Sequence, residues 1–181
     1  SDDKNLPKTS EIEIFDIYEV ELRRNVLMLR AIVNGYGAIH VYNTHLCSSC
    51  KTKEREEQLD VLLKYVKKEE ENITGENPVI LGGDFNIDRT KKDGKEKDLY
   101  EKVLWEGFID AYAAAAIDPL DALCEDKDNP DEHCTIGVTD LGDSNPGRID
   151  YVFAKGFRKV INSQVIFNSA ITDDPAVSDH S

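Results

Sequence analysis

The chain has 181 residues, with 22 Lys and Arg against 36 Asp and Glu, which gives a formal net charge of −14 at pH 7. Its 40% hydrophobic and 32% charged residues exclude collagen-like, coiled-coil and wholly disordered chains. No apolar run approaches the ~18 residues of a membrane span, so the composition predicts a soluble globular domain with a hydrophobic core. The acidic balance argues against general binding of nucleic acid through a basic face. It allows an enzyme that meets phosphate through a divalent cation.

The first part of the chain predicts three β-strands. Apolar residues cluster or alternate over 11–22, and residues 26–33 form a short apolar run. A Gly-Tyr-Gly turn at 35–37 leads into 38–44, where polar and apolar residues alternate. We therefore expect a hairpin at this position.

The middle of the chain predicts two helices around a strand. From Thr52, apolar residues recur with helical period, which predicts an amphipathic helix that ends near Asn72 or Gly75. The apolar run at 79–83, closed by glycines, is typical of a strand buried on both faces. We expect a charged loop over 88–98, followed by a shorter helix over 99–105.

The last third predicts a long irregular stretch and two more strands. Residues 113–147 are rich in Asp and Pro after a helical turn at Ala113–Ala116. The segments 148–156 and 159–167 indicate strands. No repeat or linker appears, so we expect a single domain over 1–181.

Four cysteines allow three disulfide connectivities. The sequence-local pairs Cys47 with Cys50 and Cys124 with Cys134 are favoured, and they would place the protein in an oxidising compartment: secreted, periplasmic or lumenal. Free thiols, a redox Cys-x-x-Cys and a zinc site of Cys47, Cys50, Cys134 and His133 stay open. A cytoplasmic location stays open with them.

Four short segments rich in phosphate- and metal-handling groups adjoin the predicted strands: Asn43-Thr44-His45, Gly83-Asp84-Phe85-Asn86, Arg148-Ile149-Asp150-Tyr151 and Ser178-Asp179-His180. Catalytic groups gather at such strand ends. Each segment alone is typical of a turn or cap. Together they fit a site that binds a hard divalent cation and moves protons around a phosphate.

The set resembles the endonuclease/exonuclease/phosphatase superfamily, which includes DNase I-like nucleases, abasic-site endonucleases, sphingomyelinases and inositol polyphosphate phosphatases. The resemblance spans Val26 to Ser181. Its matching residues are NTHL at 43–46, Arg55 and Gln58, GGDFN at 82–86, RIDYVF at 148–153, and SDH at 178–180. It implies an α/β fold, a four-layer sandwich of two packed β-sheets flanked by helices. It also implies hydrolysis of phosphoester bonds with Mg²⁺, or with Mn²⁺ or Ca²⁺ in its place.

The resemblance also implies roles for the matching residues. Asp84 and Asn86 would orient or activate the attacking water and the phosphate, and together with Asp179 they form the implied metal-binding set. His45 would stabilise or protonate the leaving oxygen.

At the end of the chain, His180 would bind phosphate or act as a general base, paired with Asp150. An aspartate beside a histidine holds the imidazole tautomer. Substitution of Asp150 should therefore damage the function of His180.

The chain departs from the family pattern at both ends. The family's N-terminal asparagine and metal-binding glutamate have no match, and the closing strand expected after the SDH motif is missing. We expect the C-terminal two thirds of a domain, inactive unless another chain completes the site. Residues 1–10 are polar and show no signal peptide. The strand-like segment holds four candidates for the missing acid, which we expect to face solvent: Glu11, Glu13, Glu19 and Glu21.

The leading interpretation is a metal-dependent phosphodiesterase of the DNase I-like nuclease type, with nucleic acid or phospholipid as substrate and no stable protein partner. A sphingomyelinase-like enzyme is the alternative, although no aromatic hairpin for membrane insertion is evident. A sugar or inositol phosphate phosphatase would need additional cations near the site, for which Lys155 and Arg158 are the only candidates. A catalytically dead scaffold is the remaining option.

Overall fold

The computed structural model describes residues 9–20, 24–34, 37–72, 77–91, 94–116, 124, 134–135 and 147–164. The strands are β1 (Thr9–Val20), β2 (Arg24–Val33), β3 (Gly37–His45), β4 (Val79–Asp84), β5 (Ile109–Asp110) and β6 (Asp150–Lys155). The helices are α1 (Thr52–Glu71), α2 (Lys95–Trp105) and α3 (Ala111–Ala115). For β1 the description covers the backbone only, so the side chains of Glu11, Glu13 and Glu19 lie outside it, as does Glu21.

All six strands form one sheet in the order β1-β2-β3-β4-β6-β5. The first three strands are antiparallel neighbours, which confirms the predicted hairpin. Because β3 and β4 are parallel, their connection must cross from one end of the sheet to the other, and α1 makes this crossover. The antiparallel strand β6 follows on the other side of β4. The C-terminal ends of β3 and β4 and the N-terminal end of β6 therefore meet at one edge.

The hydrophobic core lies between the sheet and helices α1 and α2. The helical period places Leu59, Leu62, Leu63 and Val66 on one face of α1, and all four are buried. Alternate strand residues meet them from the sheet, and α2 adds the rest of the cluster: Val26, Met28, Tyr42, Leu81, Tyr151, Phe153, Leu99 and Val103. Burial of each large apolar side chain stabilises the fold by about 1.5–3 kcal/mol.

The opposite face of the sheet is only partly covered. Val152 is 49% exposed and Leu27 is 37% exposed, and Ile80 on β4 is half-buried. The prediction that β4 is buried on both faces is therefore right for one face only. The described residues contain one sheet and one helical layer of the predicted four-layer sandwich. None of the helices described is long and apolar enough to cross a membrane.

Two predicted elements differ from the structure, and one short strand was not predicted. Helix α2 begins at Lys95, within the predicted loop 88–98, because Glu96 is buried and so belongs to the packed face of the helix. The predicted strand 159–167 is wrong over 159–164, where Ile161 is 90% exposed and no neighbouring strand is available among the described residues. Residues 165–167 lie outside the description. The two-residue strand β5 has too short a pattern to predict.

Candidate functional site

Three of the four predicted segments meet at the sheet edge where β3 and β4 end. His45 is the register partner of Asp84 across the parallel pair. Asp84 is in turn the partner of Asp150 at the start of β6. Residues far apart in the sequence are thus neighbours across three adjacent strands. The fourth segment, with Asp179 and His180, lies outside the described residues.

Gly83 allows β4 to approach β3 at this edge. Its φ of +131° lies in a region that side chains with a Cβ rarely adopt, and a Cβ built there would overlap the carbonyl oxygen of Thr44. The hydroxyl of Thr44 donates in turn to the carbonyl of Asn25 on β2, at 3.0 Å. Glycine is therefore required at this position so that His45 and Asp84 can lie side by side.

The side chains of His45 and Asp84 form a direct pair. The Nε2 atom of His45 is 3.1 Å from Oδ2 of Asp84, and the two side chains are 55% and 11% exposed. The other carboxylate oxygen of Asp84 accepts the backbone N–H of Asn86 at 2.8 Å. A carboxylate within reach of Nε2 fixes the orientation of the ring. Nδ1 is the ring atom left for proton exchange with a ligand.

Asn86 joins the two loops that follow β3 and β4. Its backbone has the left-handed φ of +51°, which asparagine tolerates better than most residues. Its Nδ2 donates to the carbonyl of Leu46 at 2.9 Å, and Leu46 N–H donates to the carbonyl of Asp84 at 2.8 Å. The amide oxygen of Asn86 is the acceptor of this side chain, so it is the atom suited to a water or a cation.

Asp150 is held at the site edge through its backbone. Its N–H and that of Ile149 both donate to Oγ1 of Thr135, at 3.2 and 3.1 Å. The carbonyl of Ile149 accepts the N–H of Phe85 at 2.9 Å. The motifs GGDFN and RIDY are thus tied by main-chain contacts, while the predicted pairing of Asp150 with His180 stays a prediction.

Arg148, from the same predicted segment, forms a buried ion pair with a carboxylate. Its guanidinium forms a two-pronged ion pair with Asp110, with nitrogen–oxygen distances of 3.2 and 2.6 Å, and both side chains are under 5% exposed. Burial opposes ionisation of Asp110, but the hydrogen bonds and charge of Arg148 outweigh it and hold the pKa of Asp110 below its usual value. Arg148 is a structural residue here.

Arg55 and Gln58 support the loop after His45 from behind. The Oε1 atom of Gln58 accepts the N–H of Cys47 at 3.0 Å. Arg55, only 5% exposed, donates to the carbonyls of Cys47, Ser48 and Cys50 at 3.1, 3.4 and 3.1 Å. These two residues shape the site from the core side.

Sequence reasoning missed the residue that binds Arg55 on its other side. The carboxylate of Glu96 accepts from Arg55 at 3.0 Å and is 4% exposed. Glu96 lies in a run of exposed charges, so the sequence carries no signal that this one is buried.

The four cysteines form the two predicted disulfides, Cys47–Cys50 and Cys124–Cys134. No cysteine in the described chain is free, so the free-thiol and zinc alternatives are wrong for this structure. The first disulfide lies two residues after His45, and the second ends next to Thr135.

The oxygen ligands that the described residues offer are of the type that a hard divalent cation binds, although they do not form a complete metal site. Asp84, Asn86 and Asp150 offer carboxylate and amide oxygens, which Mg²⁺ and Ca²⁺ prefer. Within the described segments, no three residues among His, Cys, Asp and Glu lie close enough to hold a metal ion.

Comparison with known proteins identifies the class. The model of the endonuclease/exonuclease/phosphatase family matches residues 29–180, and the chain belongs to this family. The fold is that of its DNase I-like members. No sequence among the curated proteins matches this chain.

Solved structures of the family superpose on the chain. A family protein from Leptotrichia buccalis is 25% identical with a TM-score of 0.61, over 96% of this chain and 60% of that one. TDP2 from Caenorhabditis elegans is 19% identical with a TM-score of 0.55, over 81% and 53%. A mannosyl-6-phosphatase from Bacteroides thetaiotaomicron is 18% identical with a TM-score of 0.52, over 82% and 55%. The chain thus spans about half to three fifths of these proteins.

Proposed function

We propose that this chain carries the catalytic edge of a divalent-metal-dependent phosphodiesterase of the DNase I-like nuclease type. Family membership supports hydrolysis of phosphoester bonds in general. The observation that supports this assignment most directly is the pairing of His45 with Asp84, beside Asn86 and Asp150, at the edge where three strands meet. Phosphoryl transfer depends more on positioning and charge than on covalent chemistry, and hydrogen bonds hold Asp84, Asn86 and the backbone of Asp150 at this edge.

The residues divide the chemistry according to their contacts. Asp84, held by the N–H of Asn86, orients the attacking water and accepts its proton. The amide of Asn86 positions the same water or a phosphate oxygen. His45, more than half exposed, faces the leaving oxygen and stabilises or protonates it.

Asp150 and the two residues beyond the described segments complete the proposal. Asp150 orients His180, which binds phosphate or acts as a general base. Asp179 joins Asp84 and Asn86 as a metal ligand. The bound cation supplies the positive charge that neutralises the phosphate in an acidic protein.

Arg148 and Arg55, the two arginines of the matching motifs, are both paired with carboxylates, which supports a diester rather than a monoester as the substrate. A monoester brings two negative charges, and its sites need more arginine or lysine than a diester site. Among the described residues, Arg148 forms an ion pair with Asp110, and Arg55 forms one with Glu96. Lys155 lies at the far end of β6, opposite Val79, and pairs with Glu70 at 3.0 Å. Lys155, one of the two cations that the sequence offered for a phosphatase, therefore lies away from the site edge.

The two disulfides are compatible with an oxidising compartment, and we propose that the protein is secreted or lumenal. In that compartment the protein would act on a nucleic acid or another phosphodiester. We expect it to do so without a stable protein partner. A phospholipid substrate would instead mark the sphingomyelinase-like alternative.

The test is hydrolysis by the full-length gene product with Mg²⁺. Plasmid DNA, RNA, sphingomyelin and p-nitrophenyl phosphate are offered in parallel, with EDTA and with His180→Ala as controls. We expect cleavage of a nucleic acid that both controls abolish. Turnover of sphingomyelin or the monoester alone would contradict the nuclease assignment, and no metal-dependent turnover at all would favour the scaffold.

A further inference from the structure

The loop that follows His45 and the loop that follows Asp84 are connected at two places, one at the catalytic edge and one on the core side of it. At the edge itself, Asn86 binds the carbonyl of Leu46. Behind it, the carboxylate of Glu96 on α2 makes the second connection. One oxygen accepts from Arg55 at 3.0 Å, and the other accepts the backbone N–H of Asp88 at 2.7 Å.

The two partners of Glu96 belong to different site loops. Arg55 holds the loop that follows His45, through three backbone carbonyls. Asp88 lies two residues after Asn86, and its own carboxylate accepts from the N–H and hydroxyl of Thr90 at 2.9 and 2.6 Å. Glu96 therefore connects the two loops from the core side through one carboxylate.

The burial of this group strengthens the constraint. The side chains of Glu96 and Arg55 are 5% and 6% exposed, and Lys91 adds a third donor to the carboxylate at 2.8 Å. Removing a carboxylate from water is unfavourable unless charged donors replace the water. Charge-assisted hydrogen bonds are short and directional, so this arrangement allows one relative placement of the loops rather than several.

We propose that Glu96 is a positioning residue for hydrolysis: it holds the loop that follows His45 in place relative to the loop that follows Asn86, and so supports the site residues without contacting the substrate. The inference rests on the proposed function for its catalytic consequence. Its structural part, the coupling of the two loops through one carboxylate, stands independently of turnover.

The test is the Glu96→Gln variant of the full-length gene product. Glutamine keeps the shape but replaces one acceptor oxygen with an NH₂ group, so it loses the bond to Arg55 or to the N–H of Asp88. We expect kcat to fall about 10- to 100-fold, as for other supporting groups around a reaction centre, while KM changes less than about twofold.

Two control variants on the same helix separate positioning from charge and from stability. Glu101→Gln makes the same chemical change at a surface residue that pairs with Lys97 at 3.6 Å. Val103→Ala removes buried core volume and lowers the melting temperature without touching either loop. Both controls should keep kcat within about twofold of wild type. If Glu96→Gln loses no more kcat than Val103→Ala at an equal loss of melting temperature, the proposal is wrong.

Amide hydrogen exchange gives a readout that does not depend on catalysis. We expect Glu96→Gln to speed exchange of the amides of Cys47 and Asn86 by roughly tenfold or more, while core-strand amides keep their protection. Uniform acceleration across the sheet, as in Val103→Ala, would overturn the proposal. A wild type without turnover on any substrate would refute the proposed function, and the exchange pattern would then decide the positioning role by itself.

Discussion

Loss of the buried charge on Asp110 should destabilise the fold strongly. The Asp110→Asn variant keeps the size of the side chain and can still accept from the N–H groups of Tyr112 and Ala113 at the start of α3. It removes the counter-charge of Arg148, which stays buried. Breaking a buried ion pair by neutralising one partner typically costs about 3–5 kcal/mol. This is a large part of the roughly 5–15 kcal/mol of total stability of a domain.

Urea unfolding followed by circular dichroism measures this loss. The pKa of Asp110 is lowered in the folded protein, from a usual value of 3.8. Its ionised form therefore stabilises the fold fully above about pH 4, and this stabilisation is lost as the pH falls further. The difference between wild type and variant should be largest near neutral pH and should shrink below pH 4.

The control for Asp110→Asn is Asp60→Asn. Asp60 pairs with Lys102 at the surface, and its side chain is 38% exposed. Exposed ion pairs contribute about 0–1 kcal/mol. If Asp110→Asn costs no more than Asp60→Asn, or if its cost does not change with pH, the reasoning about the buried pair is refuted.

Three further predictions test individual features. Gly83→Ala should lower the free energy of unfolding, measured by calorimetry, by roughly 1–3 kcal/mol more than Gly37→Ala does. Both glycines have positive φ, but of the two only Gly83 faces a backbone atom. Equal losses of stability would contradict this expectation. Burial and the charge of Arg30 lower the pKa of His40, so stability should fall as the pH drops below about 6.5, and His40→Phe should flatten this dependence in melting curves from pH 7.5 to 5.5. Replacement of Cys47 and Cys50 by serine should lower the free energy of unfolding by about 2 kcal/mol, measured by urea unfolding. An unchanged urea midpoint would show that the disulfide contributes nothing to stability.

Most of the sheet follows from patterns visible in the sequence. Strand β3 and helix α1 carry periods of two and 3.6 residues, because one face of each is packed, and β2 and β4 stand out as apolar runs. Residues 159–164 carry a similar apolar pattern, yet they form no strand. A strand needs a hydrogen-bonded neighbour, and local sequence does not report whether one is available.

The candidate site follows from the sequence in part. The juxtaposition of His45, Asp84 and Asp150 depends on strand order, which the motifs alone do not state and the family resemblance supplies. The interaction of Arg148 with Asp110 and that of Arg55 with Glu96 join residues about 40 positions apart. A surface charge and a buried one have the same letter in the sequence, so these partners become visible only in the fold.

We propose that phosphodiester hydrolysis takes place at the edge formed by β3, β4 and β6. The most direct measurement is kcat/KM of the full-length Asp84→Asn variant with Mg²⁺ and the best substrate of the wild type, beside Asp98→Asn, an exposed aspartate on α2. We expect kcat/KM to fall roughly 10²- to 10⁴-fold for Asp84→Asn, with an unchanged unfolding midpoint, and we expect wild-type activity for Asp98→Asn. Activity of Asp84→Asn within about twofold of wild type would show that this edge is not the site of hydrolysis.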